Sequence, residues 1–579
     1  MSRHEMSRIE QALCAVNRAA DLAMNHLGRT VFAKREAGVI PEGLIPDLSF
    51  EGATRRAEMG AQILRLLDGV DDEQLPHDAA LTSKLLRHYA SGWSREAEQY
   101  WLAIDPTGSL FYGPFAQTAY TGGYLLGSIN ALLAGHAFTN DSDGDRYLLL
   151  LSDITRMLQQ IHERTAGQAQ RGIRVHKPQL PAVRSLLERL RATAETVYPV
   201  SASRLQGLSD AEALRAEIQR RVTHRVMPAF TALIDQLDDD YERQAPDGVG
   251  LDKLPGGRDA YAWLLKLHVT RELTIEQVHG AGHARMTRIE SEMAELRRQL
   301  GFSGSAAEFA VHAREQPGAK ATSADDIGAR MRQHKDRIEQ RFDEFFHQRS
   351  PAEYDLVRLA PALEGSMTWG YYEPPSGAEQ RGLYHYNGGK LDSLAVIAAA
   401  SLVFHELVPG HHLHLTLQGN NEAQSPLRRN ASVNAFNEAW AEYAATLTGE
   451  MGLYDNPYDR YGRLCMDAFL TSRLVVDTGM NAMGWSWARA KDYLREHTLC
   501  ADAEIESETL RYSCGIPAQS LAYKLGDEDI LRMRDKVRAR LGDQFDHRDF
   551  HSAILDAGAL PLPALEWHLD KVFGDPVPA

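Results

Sequence analysis

The amino-acid sequence predicts a mainly α-helical fold, built from many helices with one small β or extended element. Apolar residues recur at helical spacing, at positions i, i+3, i+4 and i+7, in most of the chain. Long alternating runs of Val, Ile and Thr, which are typical of strands, are scarce. Aromatic residues cluster between turn signals in one stretch, residues 354–387. We therefore expect extended chain there and helices nearly everywhere else.

The helical pattern is clearest in five segments, which we expect to form amphipathic helices that pack through their apolar faces. These segments are residues 55–69, 146–162, 181–195, 284–300 and 327–346. Two helix starts carry capping signals. Ser209 stands three residues before Glu212, the spacing of a capping box, and Ser323 precedes another helical pattern.

The chain shows no repeat of about 20–50 residues, so a solenoid is not expected. The helical pattern breaks near residues 104–123, 247–258 and 347–378. We divide the chain into residues 1–345, a helical region that forms part of a cleft, and residues 346–579, the region that carries the chemistry.

The composition indicates a globular protein, with 579 residues of which 44% are hydrophobic and 25% are charged. The formal net charge of -16 opposes nucleic acid or an anionic membrane as the main partner. Four cysteines without a CxxC pair are too few for a disulfide framework or a four-cysteine zinc site.

No run of about eighteen uninterrupted apolar residues is present, so no transmembrane helix is expected. The first residues mix charge into their apolar positions and lack the hydrophobic region of a secretory signal. We therefore expect a cytoplasmic protein. The sequence does not indicate an oligomeric state.

The segment 401–418, SLVFHELVPGHHLHLTLQ, begins like the HExxH helix of zinc enzymes. Residues four apart on a helix share a face, which lets two histidines bind one metal ion. Here the fourth residue after His405 is Pro409, and His411 and His412 follow. Six residues turn a helix by about 600°, and seven residues add roughly 10 Å of rise. A regular helix therefore cannot bring either histidine to the same ion as His405.

Pro409 and Gly410 provide a way to open this helix. Pro409 has no N–H and would clash with the carbonyl of His405, and Gly410 can adopt φ values that other residues avoid. A two-residue bulge would place His411 where the fourth residue of HExxH lies. We predict His405 and His411 as metal ligands, with His412 as the alternative to His411.

Glu406 follows the first ligand directly, which is the position of a general base that deprotonates a metal-activated water. Catalytic zinc usually keeps three protein ligands and one open position. The helical segment 434–445, NAFNEAWAEYAA, carries Glu438 and Glu442 on one face. We predict Glu438 as the third ligand and Glu442 as the hydrogen-bond acceptor of a ligand histidine. Each feature alone is most often a surface feature, but their combination favours metal binding.

These motifs carry a resemblance to a known family. HELVPGHH (405–412) and NEAWAEY (437–443) are similar to the HExxPGHH and NEGWAxY signatures of the bacterial domain-of-unknown-function 885 family. The resemblance covers most of the chain, through LPGG (254–257), HVT (268–270), YYEPPSG (371–377), RLVVDTGM (473–480), RYSCGIPAQSLAYKLG (511–526) and FHSAILDAGALPL (550–562).

The resemblance implies a large multi-helix fold similar to that of the gluzincin metallopeptidases, with a deep cleft and one Zn²⁺ per chain. The NEAWAEY segment also resembles the NEGFA segment of gluzincin aminopeptidases, whose Glu is the third zinc ligand, and this favours Glu438 over Glu442. The chain departs from the family pattern at two positions. Asn481 stands where His is frequent, and Ala518 replaces the Gly of the usual PGQA motif.

Hydrolysis also needs a hydrogen-bond donor for the developing oxyanion. We predict Tyr523 for this role and Tyr512 as the second choice, although most tyrosines are packing residues. The predicted substrate-binding residues are Arg473, Gln519, Lys524 and Arg511. Arg473 and Asp477, one helical turn apart, fit a structural ion pair equally well. An edge that aligns extended peptide is predicted from Tyr371, Tyr372 and Tyr384.

The function that we expect is a metallopeptidase, a zinc-dependent hydrolase of short peptides. A first alternative keeps the site but cleaves a non-peptide amide in a specialised small-molecule pathway. A second is a non-catalytic protein that binds a metal or a ligand, against which Glu406 argues because such a site needs no general base.

Overall fold

The computed structural model describes residues 3–28, 43–118, 120–316, 319–361, 364, 369–376, 379–389, 391 and 394–574. This part of the chain is mainly α-helical, as the sequence predicts. Before the sheet its α-helices are α1 (Arg3–Leu27), α2 (Phe50–Leu67), α3 (His77–Trp93), α4 (Thr121–Ala134), α5 (Asp141–Gln170), α6 (Leu180–Val197), α7 (Ala211–Arg221), α8 (Met227–Asp235), α9 (Asp239–Gln244), α10 (Gly257–Val269), α11 (Ile275–Gln299), α12 (Ala306–Glu315) and α13 (Ala324–Glu339).

A three-stranded sheet follows, at the one place where the sequence predicts extended chain. Its strands are β1 (Tyr354–Arg358), β2 (Gly370–Glu373) and β3 (Gly382–Tyr386), in the order β1-β3-β2. β1 pairs parallel to β3, with Tyr354 opposite Gly382, and β2 pairs antiparallel to β3, with Gly370 opposite Tyr386. The sheet thus lies directly before the helices that carry the histidine motif.

The remaining helices carry the chemical motifs. They are α14 (Leu394–Ile397), α15 (Ala399–Glu406), α16 (His411–Asn420), α17 (Pro426–Arg429), α18 (Asn434–Glu450), α19 (Pro457–Ala482), α20 (Trp487–His497), α21 (Asp502–Leu510), α22 (Ala522–Leu541), α23 (His547–Ala557) and α24 (Leu562–Val572).

The five segments with the clearest helical pattern overlap α2, α5, α6, α11 and α13. The cap at Ser323 is confirmed, because its hydroxyl accepts from the backbone N–H of Asp326 at 3.1 Å. The capping box at Ser209 is wrong. Asp210 is the N-cap of α7, and Ser209 instead donates its backbone N–H and its hydroxyl to Asp141.

One continuous hydrophobic core extends from Val16 on α1 to Leu569 on α24. It includes residues on both sides of the predicted boundary at 345/346, so this boundary does not separate two cores. The cleft expected between the two regions stays a prediction.

Close packing between α18 and α22 positions the motif residues. A Cβ atom at Gly526 would lie 2.4 Å from the Cβ of Ala439 and 2.9 Å from the carbonyl oxygen of Ala435. Only glycine therefore allows these two helices to approach so closely. α15 packs on the same α18, so α15 and α22 both approach the helix that carries the two glutamates.

Candidate metal centre

The histidine motif is divided between two helices, as Pro409 predicts. α15 ends at Glu406 and α16 begins at His411, and the loop between them contains a cis peptide bond at Val408–Pro409. Gly410 has a φ of -77°, so an unusual φ is not the reason for glycine here. A Cβ atom at Gly410 would instead lie 1.8 Å from the carbonyl oxygen of His405. The loop can therefore close only without a side chain at this position.

This loop brings His411 to His405, and α18 brings Glu438 to both. The Oε2 atom of Glu438 lies 3.7 Å from Nε2 of His405 and 3.5 Å from Nε2 of His411. One ligand atom from each of the three side chains lies within 4.8 Å of the others. Among the residues that the structure describes, this is the one cluster of three such groups with that spacing.

The cluster has the chemistry of a cation site. The Oε2 atom of Glu438 is buried and accepts no hydrogen bond from any described residue. Burial opposes the charge of both Glu438 and His411, but their attraction outweighs it, lowering the pKa of Glu438 and raising that of His411. Two imidazole nitrogens and one carboxylate oxygen form a donor set that suits catalytic zinc. The three residues therefore fit a zinc ion.

Glu442, one helical turn after Glu438, orients the first histidine. Nδ1 of His405 donates to Oε1 of Glu442 at 3.0 Å, because a carboxylate can only accept. Nε2 of His405 therefore keeps its lone pair on the side of Glu438. This is the arrangement predicted for Glu442, and it is common around metal-binding histidines.

Two buried cations hold the other oxygen of Glu442. Oε2 accepts from Lys524 Nζ at 2.9 Å and from Arg463 Nη2 at 3.0 Å. Burial would raise the pKa of Glu442, but Arg463 and Lys524 outweigh it and hold that pKa well below its usual range. Glu442 is therefore a carboxylate at neutral pH.

The prediction that Lys524 binds substrate is wrong. Its side chain is fully buried, and its ammonium also pairs with Asp467 at 2.8 Å and Asp527 at 2.7 Å. A lysine with three carboxylate partners has no donor to spare for a ligand. It supports His405 through Glu442 instead.

Glu406 ends α15 next to the cluster. The residue is half-buried, and no side chain in the described part of the chain hydrogen-bonds to its carboxylate. Burial raises its pKa, and the neighbouring His405 and His411 oppose that rise. An unengaged carboxylate with a raised pKa is suited to accept and return a proton.

His412 does not join the cluster. Its Nδ1 accepts from the Tyr372 hydroxyl at 2.9 Å, and its Nε2 lies 2.7 Å from Ser350 Oγ and 3.1 Å from the carbonyl oxygen of Ala352. Burial lowers its pKa to about 4, so it is neutral at pH 7. His412 therefore anchors α16 to the sheet, and the structure gives no support to it as a ligand.

Only one of the two predicted oxyanion donors lies at the cluster. The ring of Tyr523 is nearly parallel to that of His405, with centroids 6.1 Å apart, and its hydroxyl helps to lower the pKa of Glu438. Tyr512 is fully buried, donates to Glu508 and accepts from Arg473 Nε at 2.8 Å. Tyr512 is thus committed to internal partners.

Two of the three tyrosines predicted to align a peptide are bound to other residues of the protein. Tyr384 is buried and donates to the carbonyl oxygen of Trp369 at 3.2 Å, and Tyr372 is bound to His412. Tyr371 is 38% exposed and stacks on His385. Of the three, only Tyr371 presents a free surface.

Comparison with known proteins places the chain in a family. The family model described as "Bacterial protein of unknown function (DUF885)" matches residues 32–569. The chain belongs to this family. No curated protein matches the chain.

Two solved structures share the fold of this DUF885 member, and both are named "putative lipoprotein". The one from Colwellia psychrerythraea aligns with a TM-score of 0.83 and 22% identity, over 98% of this chain and 99% of that chain. The one from Shewanella oneidensis, named as of unknown function, aligns with a TM-score of 0.68 and 15% identity, over 97% and 98%. At these identities the likeness shows the fold alone. The likeness to gluzincins stays a prediction.

No helix in the described ranges of this DUF885 member combines the length and hydrophobicity needed to span a bilayer. The cytoplasmic location expected from the sequence stays a prediction.

The departure from the family pattern at Asn481 is a packing feature. Its side-chain amide donates to the Tyr512 carbonyl oxygen and to Asp477 Oδ1, each at 3.0 Å, and its Oδ1 accepts from the Leu251 N–H at 2.9 Å. The side chain is fully buried, so it does not present itself to substrate.

Asp477 does not pair with Arg473, contrary to one prediction. Its oxygens accept from the hydroxyls of Tyr261 and Ser520 and from the backbone N–H of Ala518. Ala518 has a φ of +66°, a region that favours glycine. The second departure of this family member thus places an alanine in a left-handed conformation.

The other predicted substrate residues bind partners within the protein. Arg473 donates to Tyr512 and to Glu508 at 3.2 Å. Arg511 donates to Gln519 Oε1 at 3.0 Å and lies 3.7 Å from Glu508. The side-chain amide of Gln519 donates a hydrogen bond to another residue of the protein. Gln519 therefore holds Arg511 in place.

Two cavities, of about 500 and 490 Å³, flank the segment 351–353. Val408 of the histidine loop lines the first, but none of the three cluster residues lines either cavity. These cavities therefore do not define the substrate cleft.

The sequence analysis did not identify the partners of Lys524 and Arg473. Arg463 and Asp467 lie four residues apart on α19, and Asp527 lies three residues after Lys524. These spacings are visible in the sequence, but they are common on solvated helix faces. No sequence pattern around Glu508 indicates that it pairs with Arg473.

Proposed function

We propose that this protein is a zinc-dependent hydrolase of peptide bonds in short peptides. The single observation that carries the proposal is the convergence of His405, His411 and Glu438 beside Glu406, with a buried carboxylate oxygen that has no described hydrogen-bond partner. A site that only stores a metal has no need of a free carboxylate next to its first ligand.

His405, His411 and Glu438 would hold the ion. When bound, zinc supplies Lewis acidity that polarises a carbonyl group and lowers the pKa of water. Glu442 keeps the Nε2 lone pair of His405 directed to the ion, with Lys524 and Arg463 holding Glu442 in its charged form.

Glu406 performs the proton transfers. It accepts a proton from the attacking water as the new C–O bond forms, and it delivers that proton to the leaving nitrogen as the C–N bond breaks. The products are a carboxylic acid and an amine. The Tyr523 hydroxyl donates to the oxyanion of the tetrahedral intermediate, a role that its place beside His405 and Glu438 supports.

The experiment compares hydrolysis before chelation, after chelation and after zinc is restored. Substrates are dipeptides, N-blocked peptides and acylated amines, and products are separated by chromatography. We expect cleavage of short peptides that is lost with zinc and returns with it. Cleavage of acylated amines alone would favour the non-peptide alternative. No cleavage by zinc-loaded protein would favour a binding protein.

A further inference from the structure

Arg473, which is buried, and Arg511, which is half-buried, share one carboxylate. Glu508 lies 3.2 Å from Arg473 and 3.7 Å from Arg511, and among the described residues it is the one carboxylate within ion-pair distance of either guanidinium. Tyr512, which hydrogen-bonds to Glu508 and Arg473, is neutral because burial raises its pKa further above neutrality. The group therefore has one positive charge in excess.

Both guanidinium groups also have donors without acceptors. Nη1 of Arg473 and Nε of Arg511 are buried and have no hydrogen-bond partner in the described part of the chain. Leaving a charged buried donor unsatisfied is costly, so such groups are normally paired. A second anion would satisfy both the excess charge and the free donors.

Arg473 is linked to the candidate metal centre through Tyr523, and Arg511 is linked to Arg473 through their shared Glu508. The Arg473 guanidinium lies 4.8 Å from the centre of the Tyr523 ring, whose other neighbour is the ring of His405. Tyr523 therefore contacts both a predicted metal ligand, His405, and the guanidinium of Arg473.

Arg511 is the member of the pair that solvent can reach. Its side chain is 18% exposed, against 4% for Arg473. The guanidinium carbon of Arg511 lies 5.0 Å from the centre of the Tyr120 ring. Tyr120 is itself 41% exposed. An anion that enters beside Tyr120 would meet Arg511 first, with Arg473 adding its charge from behind.

We propose that Arg511, supported by Arg473, binds a carboxylate of the substrate next to the scissile bond. This inference rests on the proposed function and names its substrate class, peptides with a free carboxylate beside the bond to be cleaved. The carboxylate comes either from the C-terminus, which makes the enzyme cleave from that end, or from an Asp or Glu side chain.

The kinetic test compares three peptides of one sequence with zinc-loaded protein. They carry a free C-terminus, a C-terminal amide, and a C-terminal amide with Glu next to the scissile bond. We expect kcat/KM for the free acid to exceed that for the plain amide by tenfold or more, mainly through KM. Recovery by the Glu-containing amide would assign the carboxylate to a side chain. Equal cleavage of all three peptides would overturn the inference while the proposed function stands.

Variants locate the effect at Arg511. Arg511→Gln should lower the ratio of acid to amide kcat/KM by tenfold or more, and Arg511→Lys should restore part of it. Arg460→Gln, at an exposed arginine, is the matched control and should leave the ratio unchanged. An unchanged ratio in Arg511→Gln would contradict the assignment.

Binding separates this inference from catalysis. Calorimetry with chelator-treated protein measures an N-acetyl amino acid and its amide, so that zinc cannot hold the carboxylate. We expect binding of the acid only, and loss of that binding in Arg511→Gln. Absence of binding of the acid would overturn the inference, whereas binding without any peptide hydrolysis would retain the carboxylate site and reject the proposed function.

Discussion

Nδ1 of His405 lies 3.0 Å from Oε1 of Glu442, a contact that fixes which ring nitrogen of His405 faces Glu438. The second oxygen of Glu442 accepts from Lys524 at 2.9 Å. The orientation of one ring thus depends on a buried ammonium on α22, which has no contact with the cluster itself. Carboxylate partners of this kind hold the tautomer and the ring orientation that a metal-binding histidine needs.

Glu442→Gln should weaken zinc binding by about 10–100-fold, the usual effect of losing such a partner. Gln can still accept from His405, but it lacks the negative charge and leaves Lys524 with one carboxylate fewer. Competition with a chromophoric chelator measures the zinc Kd. Glu422→Gln, at an exposed glutamate, is the control. Equal zinc affinity in both variants would show that Glu442 does not act on the metal.

His411→Ala should lose zinc, whereas His412→Ala should keep it. Of these two histidines, His411 has a ring nitrogen 3.5 Å from Glu438, while both nitrogens of His412 are engaged with the sheet and its flanking loop. Elemental analysis after zinc loading and dialysis measures the difference. His412→Ala should instead lower the thermal midpoint, because it removes the anchor of α16. The reverse pattern of zinc content would move the ligand to His412.

Asp477 should make the protein less stable as the pH rises from about 4 to 6. Burial raises the pKa of Asp477 to about 6, above its value in the unfolded chain, so the folded state binds this proton more tightly. Its contribution to the free energy of unfolding is therefore full at low pH and decreases by roughly 3 kcal/mol as the pH passes the folded-state pKa.

Asp477→Asn removes this titration. The difference in free energy of unfolding, wild type minus variant, should decrease between pH 4 and 6 and be constant above about pH 7. Urea denaturation over this range measures it, with Asp145→Asn at an exposed site as the control. A difference that increases with pH would show that Asp477 is stabilised as a carboxylate.

Ala518→Gly should stabilise the protein by about 0.5–1 kcal/mol. The left-handed φ of +66° costs an L-residue roughly 1–2 kcal/mol, and the greater freedom of glycine in the unfolded chain offsets part of the gain. Ala216→Gly, at an exposed position within α7, should have the opposite sign. Thermal midpoints measure both, and a lower midpoint for Ala518→Gly would refute the strain.

The helices and the core of the cluster could be predicted because their signals are local. Periodicity identifies α5 and α11, and Pro409 alone requires the helix to open between His405 and His411. Other features depend on contacts between distant residues. Ser209 does not cap the helix because its hydroxyl donates a hydrogen bond to Asp141, which lies 68 residues earlier.

The role of Lys524 also depends on contacts between distant residues. The local sequence around Lys524, near the start of α22, is compatible with a lysine that binds substrate and with one that is buried. Its partner Glu442 lies 82 residues away, and the two meet because Gly526 lets α22 approach α18. Nothing within the local sequence reports that distance.

The most direct test of the central claim is turnover of Glu406→Gln with its zinc content measured in the same sample. Gln has nearly the shape of Glu but cannot accept the proton, and general-base catalysis contributes about 10²–10⁴ in rate, or roughly 3–5 kcal/mol of barrier. Glu438→Ala serves as the contrasting variant that should lose the metal, and Glu422→Gln as the neutral one. We predict that Glu406→Gln keeps one zinc per chain and the parental thermal midpoint while its kcat decreases by at least 100-fold. Near-parental kcat with zinc bound would contradict the account.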